Sequence, residues 1–180
     1  MSTTKYLFAG FGGQGILFSG KVLAYKGLND NKNVSWLPSY GPEMRGGTAN
    51  CSVIISDTPV GSPIVSKPDV LIAMNLPSLD LFEDKVASGG MIFVDSTLIE
   101  RKVNRTDVKV FYIPATRLAS ENKIHKLANM IIIGKVLKET NEFENVEEVK
   151  KALTKVISAK HSDMLDINMN ALLLGKDYID

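Results

Sequence analysis

The sequence predicts a three-layer α/β domain with a mostly parallel or mixed sheet and a helical C-terminal third. Short apolar runs bounded by turn residues alternate with stretches of helical spacing as far as Ile113. From Ala115 onward the apolar residues follow helical spacing alone. The chain has 180 residues, 44% apolar and 23% charged. That is enough for one sizeable core and too little for two, so a single domain over 1–180 is expected.

Each element has its own signal. Tyr6–Ala9 is a short apolar run ending in glycines and reads as a buried first strand. Ile16, Leu17, Val22, Leu23 and Ala24 give a helix that ends near Gly27. Val34–Leu37 is a second strand, stopped by Pro38, and the turn-rich segment from Ser39 to Ala49 follows, with a helical turn at Pro42–Met44. In Asn50–Ser56, Cys51, Val53 and Ile55 alternate with Ser52, Ile54 and Ser56, which makes Cys51 a small core residue. Asp69–Met74 is a buried strand, Ser78–Ser88 a helix ended by Gly89 and Gly90, and Met91–Val94 and Val108–Ile113 are further strands. Helices are expected at Ala115–Glu121, at Leu127–Thr140, around Val146–Ile157 and around Leu165–Leu173.

Composition excludes several classes of function. The net charge of +1 offers no basic field for nucleic acid. A single cysteine can form neither an internal disulfide nor the thiolate set of an iron–sulfur cluster. It fits a reducing cytoplasm. His125 and His161 lack metal-ligand spacing and read as surface residues. The first residues lack a basic, apolar leader, and no apolar run approaches the roughly 20 residues of a membrane span. A soluble chain with no membrane or nucleic-acid partner and no metal of its own is expected.

Two loops carry chemistry. Gly10, Gly12 and Gly15 fit G-x-G-x-x-G, with Gly13 and Gln14 inside the turn. Glycines let backbone approach a ligand closely, and the helix behind them offers unpaired N–H groups to a phosphate. A ligand-free glycine turn is the alternative. A nicotinamide dinucleotide would want an acidic residue about 20 positions on. The stretch NVSWLPSYG has none before Glu43, so that ligand is disfavoured. The overlapping G-x-x-x-x-G-K at Gly15–Lys21 is followed by Val22 where a P-loop needs a hydroxyl. The second loop, Ser39–Gly47, holds Tyr40, Glu43, Arg45 and Gly46, a mixture suited to an anion or a partner, or to an internal Glu43–Arg45 pair. Asn75 and Ser96 stand at strand ends, as pocket rim or as helix caps. Nothing forms a Ser/His/Asp set or a catalytic carboxylate pair, so no catalytic residue is expected.

The motifs GFGGQG, SYGPEMRGG, DVLIAMN with PSLDLFE, GGMIFVDS, IPAT and ANMIIIGKVL occur in this order between Tyr6 and Gly175. Together they resemble the gamma subunit of 2-oxoacid:ferredoxin oxidoreductases of the 2-oxoglutarate, pyruvate or 2-ketoisovalerate type. The same unit is the third domain of single-chain pyruvate:ferredoxin oxidoreductases, with a relative in indolepyruvate oxidoreductase. The resemblance implies a Rossmann-like fold and an enzyme that is inactive without its partners. That enzyme decarboxylates a 2-oxoacid oxidatively, joins the acyl group to coenzyme A and passes electrons to ferredoxin. It implies thiamine diphosphate, Mg²⁺ and iron–sulfur clusters on partner subunits, and coenzyme A beside this chain. The diphosphate would lie near Gly12–Gly15, and the binding set would be Gly10, Gly12, Gly13, Gln14, Gly15, Ser39, Tyr40, Arg45, Gly46, Asn75 and Ser96. A separate short chain ending near LLLGKDY leans toward 2-oxoglutarate. Two positions depart from the pattern. Ser120–His125 lacks the usual glycine, so Asn122 is expected in the left-handed conformation, and Leu76 replaces a common Gln. A stand-alone nucleotide-binding module is the competing reading.

Overall fold

The computed structural model describes residues 2–40, 48–142 and 145–179. Its strands are β1 (Thr3–Phe11), β2 (Asn33–Tyr40), β3 (Thr48–Ser56), β4 (Val70–Ala73), β5 (Met91–Asp95) and β6 (Lys109–Ile113). Its α-helices are α1 (Ile16–Asn29), α2 (Leu76–Phe82), α3 (Ala115–Glu121), α4 (Ala128–Glu139), α5 (Val146–Val156) and α6 (Met164–Asp177). The strands form one mixed sheet in the order β2-β3-β1-β4-β5-β6. β1, β4, β5 and β6 run parallel, and β3 is antiparallel to both β1 and β2.

Strand alternation builds the three layers. Tyr6, Phe8, Val70, Ile72 and Phe93 face the larger core, shared with α1, α4, α5 and α6. Leu7, Leu71, Ala73, Ile92 and Val94 face the opposite way onto Leu79 of α2 and Ile99. α4 is apolar on nearly every side because it is buried: Met130, Ile131, Ile132 and Ile133 are each at most 1% exposed. α6 crosses α4 closely enough that a Cβ on Gly134 would lie 1.9 Å from the Leu172 carbonyl oxygen.

Cys51 is fully buried, as the alternation predicts, and burial pushes its thiol up to about 12. Lys26 is buried too. Burial works against its charge, but hydrogen bonds to Asp30 and Glu142 outweigh that and raise its pKa.

Three local readings are corrected. β2 passes through Pro38 and continues to Tyr40, with Ser39 opposite Asn50 and Tyr40 opposite Ala49. It is an edge strand, where a missing N–H is tolerated. α2 starts at Leu76 with a proline in its first turn and tightens after Phe82 into a 3₁₀ turn at Glu83–Lys85. The left-handed residue after α3 is Lys123 (φ 59°), whereas Asn122 has φ −90°. Asn122 is the last half-helical residue, and the next one must reverse. Ile124 N–H donates to Ala119 O at 2.8 Å and Lys123 N–H to Ser120 O at 3.0 Å. α1 and α4 end the same way, with Asn31 (φ 58°) and Asn141 (φ 59°) left-handed.

Candidate ligand site at the strand ends

The topology puts a switch point between β1 and β4. From β1 the chain crosses by α1, on one face, toward β2. From β4 it crosses by α2, on the other face, toward β5. Sheet order therefore reverses direction between these neighbours, and ligands of open α/β sheets bind outside the carboxyl ends of strands at such a point. The register Tyr40–Ala49 and Ala49–Gly10 brings the end of β2 to the same edge.

The glycine turn fills one wall. Gly12 and Gly13 are exposed at its crest, and Gly13 has φ 95° with open space where a Cβ would be. Gly15 (φ 75°) precedes α1, which has no side-chain cap and no acidic residue in its first turn. Among the described residues, then, no side chain caps its first N–H groups, which with the positive end of its dipole would suit an anion. Gly10 is buried inside β1, where a Cβ would come within 2.7 Å of Gln14 Oε1 and Ile16 Cδ1. Gln14 braces the turn. Its Oε1 accepts from Phe11 N–H at 2.6 Å, and its Nε2 donates to the Met74 carbonyl at 2.9 Å, which ties the turn to β4.

The other wall is the start of α2. Asn75 caps it, Oδ1 accepting from Ser78 N–H at 2.8 Å. The Asn75 Nδ2 and Ser78 Oγ atoms are buried without a hydrogen-bond partner. Asn75 is therefore a cap with a free donor. Ser96 caps no helix; it lines a cavity of about 380 Å³ at the ends of β5 and β6. Its neighbour Asp95, fully buried, accepts from Thr116 Oγ1 at 2.6 Å and holds the start of α3. Ser39 is exposed at the end of β2. Arg45, Gly46 and the Pro42–Met44 turn lie outside the described residues, as does the Tyr40 side chain.

The sequence reading missed Asn129. Its Nδ2 donates to Gly15 O at 3.2 Å and to Ser19 Oγ at 3.1 Å, fastening the glycine turn to α4. A Cβ on Gly15 would lie 2.4 Å from that nitrogen. The available signal was an asparagine directly before the apolar run Met130–Ile133. Among the described residues no group of His, Cys, Asp and Glu could hold a metal. With one buried cysteine in the whole chain, the donor set does not fit an iron–sulfur cluster. No helix among the described residues is long and apolar enough to cross a membrane.

The family model for pyruvate ferredoxin/flavodoxin oxidoreductase matches residues 5–178. The chain belongs to this family. Within it, the chain is 38% identical over 170 residues to the ketoisovalerate oxidoreductase subunit VorA of Methanothermobacter thermautotrophicus, covering 94% of this chain and 35% of that protein. It thus spans about a third of that relative's length. It is 39% identical over 148 residues to the 2-oxoglutarate synthase subunit KorC of Methanocaldococcus jannaschii, covering 81% of this chain and 79% of that one. Among solved structures, the gamma subunit of a keto/oxoacid ferredoxin oxidoreductase from Geobacter sulfurreducens superposes with a TM-score of 0.83 at 26% identity, covering 97% and 95% of the two chains. The 2-oxoglutarate:ferredoxin oxidoreductase of Magnetococcus marinus, with 2-oxoglutarate, coenzyme A and succinyl-CoA bound, gives 0.87 at 25% identity, over 98% of this chain and 31% of that one. The α/β architecture read from the sequence is that of these oxidoreductase subunits.

Proposed function

We propose that the chain is the gamma-type subunit of a 2-oxoacid:ferredoxin oxidoreductase and supplies part of its coenzyme A site. The observation that carries this is the uncapped start of α1 behind the Gly12–Gly15 turn, at the switch point of the sheet. Backbone N–H groups there would hold the diphosphate, and the free Asn75 Nδ2 would add a donor from the opposite wall. The coenzyme A bound in the Magnetococcus enzyme supports the choice of ligand.

Thiamine diphosphate, Mg²⁺ and the iron–sulfur clusters belong, in this reading, to partner subunits, which pass electrons on to cytoplasmic ferredoxin. The cysteine content of this chain supports that division. The 2-oxoacid we propose is 2-oxoglutarate, in keeping with the KorC relative. The VorA relative favours 2-ketoisovalerate as the second reading.

The test is purification of the tagged chain from cells that make its natural partners. Thiamine- and cluster-bearing chains should co-purify. The assembly should reduce ferredoxin only when coenzyme A and a 2-oxoacid are both present, with 2-oxoglutarate preferred. Recovery of the chain alone, or ferredoxin reduction independent of coenzyme A, would contradict the proposal.

A further inference from the structure

β2 forms one edge of the sheet, and the hydrogen-bond phase of the inner strands fixes which of its groups face outward. Met74 N–H donates to Ala9 O beyond the parallel β1–β4 pair, so Ala9 faces β4 and its neighbour Phe8 faces β3. Phe8 stands opposite Cys51, whose backbone groups are therefore spent on β1. Cys51 stands opposite Pro38, so Pro38 points its backbone away from β3, and Trp36 and Val34 do the same. Among the described residues nothing pairs with the N–H groups of Val34 and Trp36.

A groove of about 540 Å³ lies along this edge, lined by Val34 and Ser35, by Leu28 at the end of α1, and by Pro59, Val60 and Pro63. Apolar side chains are exposed beside it: Leu28 is 52% exposed, Leu37 39% and Trp36 36%. Open backbone groups next to exposed apolar side chains are a template for one more strand. The charge of the edge says which strand. β2 carries no charged residue, and Lys32, just before it, is held by Asp57 at 2.5 Å. A strand of either charge finds no counter-charge here. A neutral, partly apolar strand fits, and β2 is itself such a strand.

We propose that a second copy of this chain docks here, with β2 pairing antiparallel to β2 of the copy about a two-fold axis at Ser35. Val34 then stands opposite the copy's Trp36, and Trp36 opposite the copy's Val34, each pair exchanging both N–H···O bonds. Pro38 comes opposite the copy's Lys32, outside β2, so its missing N–H falls outside the strand pair. Opposed residues share a face of the sheet. Val34 faces α1, since a Cβ on Gly27 would lie 3.0 Å from Val34 Cγ2. The copy's Trp36 therefore covers Val34 next to Leu28. One strand pair with these side chains buries less than about 1,200 Å², so the dimer is weak and reversible. The inference uses none of the residues of the coenzyme A reading and stands or falls separately from it.

The experiment is sedimentation equilibrium of the full chain from about 1 µM to about 1 mM, with amide hydrogen exchange at both ends of that range. The wild type should pass from monomer to dimer, and the Val34 and Trp36 amides should gain protection as it does. Ser35→Lys and Ser35→Glu each set like charges against one another at the axis and should weaken self-association by roughly tenfold or more. Mixed together, the two variants should form a heterodimer, with the thermal midpoint of each as a check on folding. A wild type that stays monomeric, a dimer whose Val34 and Trp36 amides stay unprotected, or folded Ser35 variants that do not pair with each other would overturn the proposal. Protection of those amides that appears only when a different protein is added would also overturn it, and would assign the edge to a foreign strand.

Discussion

Gly15→Ala and Gly13→Ala separate backbone strain from side-chain contact in one turn. Both glycines have positive φ, 75° and 95°. An alanine forced there costs about 1–2 kcal/mol. At Gly13 nothing lies within 4 Å of the added Cβ, so strain is the whole effect. At Gly15 the Cβ falls 2.4 Å from Asn129 Nδ2, which must retreat by about 1 Å to reach ordinary contact near 3.4 Å. That retreat breaks the hydrogen bonds to Gly15 O and Ser19 Oγ, at about 1 kcal/mol each. Gly13→Ala should therefore cost about 1–2 kcal/mol and Gly15→Ala about 3–4 kcal/mol. At about 3 °C per kcal/mol for a chain of this size, the midpoints should fall by about 4 °C and about 10 °C. Thermal unfolding followed by circular dichroism reads both. In the Gly15→Ala background, Asn129→Ala should cost much less than it does alone, a coupling of about 2 kcal/mol. Equal destabilisation by the two glycine substitutions, or strict additivity of the double variant, would refute the contact.

Lys123→Gly should stabilise the fold by about 0.5–1 kcal/mol, because Lys123 holds φ 59°, whereas Asn122→Gly, at φ −90°, should destabilise it; chemical denaturation measures both. Gly134→Ala should cost about 3 kcal/mol in the same assay despite its better helix propensity, since its Cβ would meet the Leu172 backbone oxygen at 1.9 Å. Asp57 is held down to about 2 by its hydrogen bond to Lys32 (2.5 Å) and by Ser2 N–H. Because its folded pKa is depressed, its stabilising contribution is full above the ordinary carboxylate value near 4 and is lost as pH falls toward 2. Lys32→Gln should move the Asp57 titration, followed by carboxylate NMR, back up toward the ordinary value.

The layers were legible because burial on both faces writes strands as continuous apolar runs, as in VLIA of β4, and half-burial writes them as alternation, as in β3. The far end of β2 was not, because Pro38 stops a strand only where a neighbour needs its N–H, and edge position is a tertiary fact. Asn122 carried the left-handed propensity, but the phase of α3 put the reversal one residue later, on Lys123. At the site, the glycine spacing announced a close-approach turn. That Gln14 is spent bracing it, and that Asn129 fastens it from more than a hundred residues away, depended on contacts no local pattern records. Asn168 is one polar residue of α6, and no local pattern records that its oxygen is buried and unpaired.

The central claim is that the turn at Gly12–Gly15 cradles coenzyme A. The most direct measurement is the backbone amide NMR spectrum of the full chain titrated in turn with coenzyme A, NAD⁺ and ATP. The account predicts saturable shifts with coenzyme A at Gly12, Gly13, Gly15 and the first residues of α1, and weaker or no shifts there with the other two. Tight NAD⁺ binding at those amides, or coenzyme A shifts that bypass them, would contradict it.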